Sequence, residues 1–396
     1  MSQLEPEDPL RRFRDEFVLE GGGPIYLAGN SLGRLPRRAQ ALMVDVVERQ
    51  WGERLVRGWG EGWLELSQRI SAKIALLIGA DADEVAVCDS TSVNLFKLAM
   101  AAVTAQAPRR EILTDARNFP SDAYVLAGVG PLRVVDDPAR EAGAGTALVS
   151  LTSTCFRTAE NYPIGEMTEA VHAAGAWMLW DLSHSVGAMP IDMHASGAEL
   201  AVGCTYKYCN GGPGAPAFLY VRRDLQERLR SPLQGWFGHA SPFGFSPHYQ
   251  PGAGVMRFLA GTPPVLSMAC VEPGVDLLLE AGMARVREKS IRLGELLVAE
   301  ADHQLAGFGV ALASPKDAQL RGSHVALRHP EAWQLTQSLV ADYAVIPDFR
   351  APDLIRFGLA PLYNSFDDVR DAMARLRMVF ESKSYERYST QRSAVT

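Results

Sequence analysis

The sequence predicts an α/β protein, with a mostly parallel seven-stranded sheet covered by helices on both faces and a second, smaller α/β unit toward the carboxyl end. Three observations carry this. Between residues 84 and 221 the short runs EVAVCD, EILTD, LRVVD, TALVSLT, WMLWD, LAVGCT and AFLYV alternate with helical segments or loops, as crossover units do and hairpins do not. These runs are largely apolar, as strands buried on both faces must be. A helical stretch over 273–302 then leads to four further strand-like runs, GVALAS, SHVALRH, YAVIPDF and LIRFGLA.

In chain order, a helix is predicted over 8–16. PIYLAGNSLGRLP reads as a short strand entering a Gly-Asn-Ser-Leu-Gly turn, and residues 36–56 as a long amphipathic stretch beginning at Pro36. A second helix is predicted over 64–78, ahead of the alternating strands, and a last one over 365–381. The final dozen residues read as a disordered tail. The expected division is an amino-terminal segment, 1–55, packing on the small domain, a large domain over 56–275 and a small carboxyl-terminal domain over 276–396.

Apolar residues make up 47% of the 396, enough for a large core. The formal charge of −7 comes from interspersed acids and bases without a basic block, so no nucleic-acid partner is expected. Five cysteines, an odd number, do not form a disulfide framework, and Cys204 and Cys209 lack the second pair of a zinc site. The eight histidines form no His-Glu-x-x-His helix, so no metal is expected. The first residues, MSQLEPEDPLRRF, are acidic and polar, and no apolar run approaches bilayer length. The expected location is cytoplasmic, with no membrane partner.

Ligands of open parallel sheets bind beyond the carboxyl ends of the strands. There VAVCDSTSVNLFKL opens a helix with Asp89, Ser90, Thr91 and Ser92, whose amides and positive helix end suit a phosphate; the same residue types also make an ordinary cap. NFPSD, residues 118–122, is another helix entry open to both readings. In AWMLWDLSHSVGAMPID, Asp181 ends an apolar strand, where a carboxylate stays ionised only if hydrogen-bonded or paired with a cation. A pyridinium nitrogen would serve, as would a structural turn at Ser183. His184 can stack or hydrogen-bond nearby. CTYKYCNGGPGAP then puts Lys207 at the end of the next strand, before a glycine-rich turn. A lysine in a partly desolvated pocket is a nucleophile able to form an imine with an aldehyde. A phosphate-friendly helix start, a strand-end Asp and a strand-end Lys, in that order, are the parts needed to hold pyridoxal 5'-phosphate.

With these motifs in place, the chain resembles the kynureninase family, within the fold-type I pyridoxal-phosphate enzymes of the aspartate-aminotransferase-like superfamily. The resemblance runs from YLAGNSLGRLP through NFPSD, WDLSHSVGAMPID, TYKYCNGGPGAPAFLYV and GWFGH to IRFGLAPLYNSF, and RFLAGTPP is similar to bacterial members. It implies hydrolytic Cβ–Cγ cleavage of L-kynurenine, and less well of 3-hydroxykynurenine, to anthranilate and L-alanine. Lys207 would bind the coenzyme covalently and act as base, and Asp181 would pair with its ring nitrogen. Phe119 would stack on the ring, with Asp122 near the 3-hydroxyl and Thr152 and His184 lining it. Thr91, Ser92 and Tyr206 would bind the phosphate, joined by Trp236 and Thr262 from a neighbouring subunit, so a homodimer with interfacial sites is implied. Arg356 would grip the substrate's α-carboxylate, and Asn30, Ser31, Trp59 and Gly261 would complete the substrate pocket. Tyr206 is a candidate to protonate the departing alanine fragment.

One segment departs from the family. Where its members have His-Val-Asn-Tyr-Lys-Thr-Gly, this chain has STCFRTAE, so Cys155 and Phe156 replace Asn and Tyr. Two rivals share the fold. A cysteine desulfurase needs a mobile cysteine late in the chain, and none follows Cys270. An aminotransferase acting on a similar amino acid would instead convert kynurenine to kynurenic acid.

Overall fold

The computed structural model describes residues 8–19 and 23–392. In chain order its strands are β1 (Ile25–Tyr26), β2 (Val85–Val87), β3 (Glu111–Thr114), β4 (Leu132–Val134), β5 (Thr146–Thr152), β6 (Trp177–Asp181), β7 (Leu200–Gly203), β8 (Phe218–Val221), β9 (Ala311–Leu312), β10 (His324–Arg328), β11 (Val345–Ile346), β12 (Asp348–Arg350) and β13 (Leu354–Gly358). The seven predicted apolar runs become β2 to β8, one sheet in the order β2-β8-β7-β6-β5-β3-β4. Its pairs are parallel except those of β8, which runs antiparallel to β2 and to β7.

Every residue of β5, β7 and β8 is buried, because both faces carry a core. Alternate residues supply the two sides, since successive strand side chains point to opposite faces. Val149, Leu151, Met178, Trp180, Ala201 and Phe218 pack on one. Leu148, Leu179, Leu200, Val202, Leu219 and Val221 pack on the other.

The smaller sheet is antiparallel in the order β12-β13-β10-β9 and packs a third core with the helices Met283–Gln304, Ala332–Tyr343 and Phe366–Ser382. YAVIPDF is two strands rather than the single one the sequence predicts. Pro347, without an N–H for the ladder, separates β11, which pairs with β1, from β12, which joins the small sheet. The helical stretch at 273–302 is likewise two helices, Val271–Ala281 and Met283–Gln304, parted at Gly282. The amphipathic stretch at 36–56 begins as the α-helix Arg37–Asp45 and widens into π-turns over Val46–Glu53.

The amino-terminal segment touches both parts of the molecule. Leu10, Phe13 and Phe17 enter the core of the main sheet, while Ile25 and Leu27 enter that of the small one. Asn364 Nδ2 donates to the Tyr26 carbonyl at 2.9 Å, next to the β1–β11 pair. The expected disordered tail is corrected as far as residue 392. Trp333 Nε1 donates to the Ser389 carbonyl at 3.0 Å, Tyr388 OH to Asp342 at 2.9 Å and Arg392 Nη2 to the Pro352 carbonyl at 2.8 Å. The rest of that tail, 393–396, and residues 1–7 and 20–22 of the amino-terminal segment lie outside the described residues.

Candidate active site

β5, β6 and β7 end side by side, with Thr152 opposite Asp181 in register. Parallel strands in register bring their carboxyl ends to one edge, so residues far apart in sequence meet there. Asp181 is buried, and its Oδ1 accepts from the Ser183 amide at 2.9 Å. Lys207, in the loop after β7, sets its Nζ 3.2 Å from His184 Nε2. Burial, then the Lys207 and Arg356 charges, push the His184 imidazole well below its usual range, so it stays neutral. A neutral ring nitrogen accepts from the Lys207 ammonium.

The lysine loop is pinned from the amino-terminal segment. The Gly33 amide donates to the Tyr206 carbonyl at 2.8 Å, and a Cβ on Gly33 would come within 2.3 Å of the Lys207 carbonyl oxygen. That close approach accounts for the second glycine of the Gly-Asn-Ser-Leu-Gly turn. Asn30, in the same turn, lies over Gly358, where a Cβ would meet its Oδ1 at 2.0 Å.

Asp122 sits in the first turn of the helix Pro120–Val129, which Phe119 precedes at the cap position. Burial and the Asp181 charge push its carboxyl well above the usual carboxylate range, against the pull of Lys207. Its Oδ2 is buried and has no hydrogen-bond partner among the described residues. The Asp181 carboxyl is raised by burial, against the pull of Lys207. Phe119 is 40% exposed and meets Phe156 edge-on at 5.1 Å between ring centroids. The phenol of Tyr206 is raised by the adjacent Cys204 thiol and by burial, and so keeps its proton. Thr152 Oγ1 donates to the Thr154 carbonyl at 3.0 Å.

Thr91 and Ser92 begin the helix Thr91–Ala105, capped by Ser90, whose side chain accepts from the Val93 amide at 3.3 Å. The turn into it is held by Lys97, which the sequence reading passed over. Wholly buried, its Nζ donates to Asp89 at 2.7 Å and to the Phe258 carbonyl at 2.8 Å. One ammonium in an otherwise apolar helix was the available signal.

Arg356 is also buried, and its fork is occupied. Nε lies 2.6 Å and Nη2 2.5 Å from the two oxygens of Asp348, Nη2 is 3.2 Å from Ser31 Oγ, and Nη1 donates to the Phe156 carbonyl. Against the cost of burial, Arg356 holds the Asp348 carboxyl below its usual range. The departing segment therefore touches the expected carboxylate site through its backbone. Asp348, Arg350 and His324 were also missed in the sequence. The alternate positions of PDFR were the signal for the first two, since residues two apart on a strand share a face. His324 is buried 6.0 Å from the His184 ring, with both ring nitrogens unpartnered among the described residues, as are Asn30 Oδ1 and Nδ2.

Trp59, Trp236, Gly261 and Thr262 gather elsewhere. Phe237 meets both tryptophans, with ring centroids at 6.1 Å from Trp59 and 4.4 Å from Trp236. Gly261 and Thr262 line a cavity of about 270 Å³ together with Asp89, Phe237 and Phe243. Among the described residues no hydrogen bond or ring contact joins any of these four to Lys207 within the chain.

The Kynureninase C-terminal domain family matches residues 286–376. The chain is 42% identical over 410 residues to the kynureninase of Burkholderia mallei strain ATCC 23344, covering 99% of this chain and 98% of the relative. It is 41% identical to that of Pseudomonas fluorescens, with the same coverage. Among solved structures it resembles a cysteine desulfurase of Thermococcus onnurineus, at 17% identity and a TM-score of 0.80 over 96% of this chain and 99% of that one. A cysteine desulfurase of Escherichia coli aligns with a TM-score of 0.77 at 16% identity, over 94% and 98%. The solved structures share the fold, whereas identity above 40% runs along nearly the whole length of this chain and of its relatives: the chain belongs to the kynureninase family.

Proposed function

We propose that this protein hydrolyses the Cβ–Cγ bond of L-kynurenine to anthranilate and L-alanine, with pyridoxal 5'-phosphate as coenzyme. The observation that carries the reading is the group Lys207, His184, Asp181 and Asp122, where two buried carboxyls face one lysine beside a neutral imidazole. The coenzyme fits these residues. A protonated ring nitrogen beside Asp181 would supply the second positive charge that the two acids lack, and the ring hydroxyl would give Asp122 Oδ2 the partner it lacks among the described residues. Phe119 offers an uncovered aromatic face, and the helix start at Thr91 and Ser92 suits the phosphate.

When bound, the coenzyme supplies an aldehyde for amines and an electron-poor ring that takes up the electron pair of a broken bond at the substrate's α-carbon. The chain's own groups do the rest. Lys207 Nζ removes the proton from the α-carbon, and neutral His184 accepts a hydrogen bond that aims the amine without competing for charge. Asp181 would accept from the coenzyme's ring nitrogen and keep it protonated. Water adds to the γ-carbonyl, the Cβ–Cγ bond breaks to release anthranilate and leaves its electron pair on the β-carbon, and Tyr206, which holds its proton, gives it to that carbon of the alanine fragment. Arg356, braced by Asp348, faces the α-carboxylate.

The working unit is a homodimer, in which Trp236 and Thr262 of one protomer reach the phosphate in the other. Support comes from an uncovered apolar surface: Trp51, Leu55 and Val56 are 55%, 57% and 76% exposed, and Phe243 and Phe245 are 59% and 78% exposed. The five cysteines are free, which supports a reducing, cytoplasmic location, and no described helix is long and apolar enough to cross a membrane. Residues 56–275 serve as the coenzyme-binding domain and 276–396 as the small one.

The test incubates coenzyme-loaded protein with L-kynurenine and, in parallel, 3-hydroxykynurenine. Anthranilate and L-alanine are expected in equal amounts, with a higher kcat/KM for L-kynurenine. Kynurenic acid in place of anthranilate would make the enzyme an aminotransferase, and neither product would defeat the proposal.

A further inference from the structure

The carboxylate site contains more positive charge than Arg356 alone explains. Asp348, Arg350, Arg356 and Gly358 lie on one face of the small sheet, because Asp348 is paired with Arg356 and each remaining residue is two positions along its strand. Two guanidiniums share the one carboxylate of Asp348, leaving a surplus of one positive charge. Their engagement differs. The Arg356 side chain is 1% exposed, grips both Asp348 oxygens and donates to the Phe156 carbonyl. The Arg350 side chain is 34% exposed and meets Asp348 more loosely, its Nη2 lying 3.3 Å from Oδ2. That same Nη2 lies 3.1 Å from Ser31 Oγ, while Nη1 turns back to the Phe349 carbonyl at 2.7 Å. Ser31 donates to Asp348 and accepts from both guanidiniums, so it ties the pair together.

The geometry points to Arg350 as a second cation of the substrate's α-carboxylate site, with Arg356 and Asp348 forming the neutral, rigid base on which that carboxylate rests. This rests on the reading of the protein as an α-amino-acid enzyme and adds a specificity-determining residue to it. A partly exposed guanidinium held at 3.3 Å by a shared carboxylate keeps donors for a second anion, and a buried, bidentate Arg–Asp pair has already spent most of its own. Burial and the neighbouring Arg356 also disfavour the Arg350 cation, a cost that an incoming carboxylate offsets. Phe156 lends the same picture from the other side: its carbonyl already points at Arg356, where a carboxylate oxygen would compete with it.

The test uses coenzyme-loaded wild-type protein and the variants Arg350→Gln and Arg350→Lys, each titrated with L-alanine and with L-alaninamide, which lacks the carboxylate, while the coenzyme's absorption is followed. Arg350→Gln is expected to weaken L-alanine roughly tenfold to a hundredfold and leave L-alaninamide unchanged. KM for L-kynurenine should rise by a similar factor while the coenzyme spectrum stays that of wild type. Arg350→Lys, which keeps the charge but not the planar fork, should show a smaller loss with the same selectivity, and it decides the matter alone if the glutamine variant does not fold. An unchanged L-alanine affinity, an equal loss for both ligands, or a wild-type protein indifferent to L-alanine overturns the assignment. Absence of anthranilate from the wild-type reaction would defeat the proposed function instead, and the alanine contrast would still report on Arg350.

Discussion

Lys207 Nζ lies 3.2 Å from Nε2 of His184, an imidazole that burial keeps neutral, so the lysine is aimed by an acceptor that brings no charge of its own. Removing the amine removes both the covalent anchor and the base. Lys207→Ala should lower anthranilate formation by at least roughly a hundredfold. Borohydride reduction of the wild-type holoenzyme, followed by peptide mapping, should place the label on Lys207; a label on another lysine would reassign the site.

Asp122 should show itself in the stability of the coenzyme-free protein. Its carboxyl is raised in the folded state by burial and by Asp181. Such a group favours folding while protonated, below about pH 4, and that contribution is lost as pH rises through the raised folded-state value. Asp122→Asn should therefore raise the Tm of coenzyme-free protein at pH 7 and have little effect at the acid end. Thermal melts across that range check the sign, and a lower Tm at pH 7 would contradict it.

Gly33 and the Lys207 carbonyl cannot accommodate a methyl group between them. Gly33→Ala puts a Cβ where 2.3 Å is available against backbone, so the turn or the lysine loop must shift. A loss of about 1–3 kcal/mol is expected from urea unfolding, together with a fall in kcat as the amine is displaced. Wild-type stability and turnover in this variant would show that the contact is soft.

Dimer dependence follows from the exposed apolar surface around Trp51 and Phe245. Sedimentation should find a dimer, and specific activity should drop as dilution separates the chains. Trp236→Ala should weaken coenzyme binding although, among the described residues, no hydrogen bond or ring contact joins Trp236 to Lys207 within its own chain. A monomer with full activity would refute the shared site.

Much of this was legible from local pattern. Largely apolar runs alternating with helical segments marked β2 to β8, and helix starts after strands marked Thr91 and Phe119, because burial on both faces and helix capping each leave their mark on neighbouring residues. A carboxylate or an ammonium at the end of an apolar strand, as at Asp181 and Lys207, stood out because burying it alone is costly. Lys97 followed the same rule and was overlooked only because it lies inside a helix.

Tertiary structure decided the rest. Whether YAVIPDF served one sheet or two depended on which edges were open to β11 and β12 after Pro347 interrupted the ladder. The resemblance to the family singled out Arg356, but only strand pairing shows that Asp348 already holds its fork and that Arg350 stands beside it with donors to spare. Local conformation is written in adjacent residues, whereas the partner of a buried charge is set by which distant segments share its desolvated space.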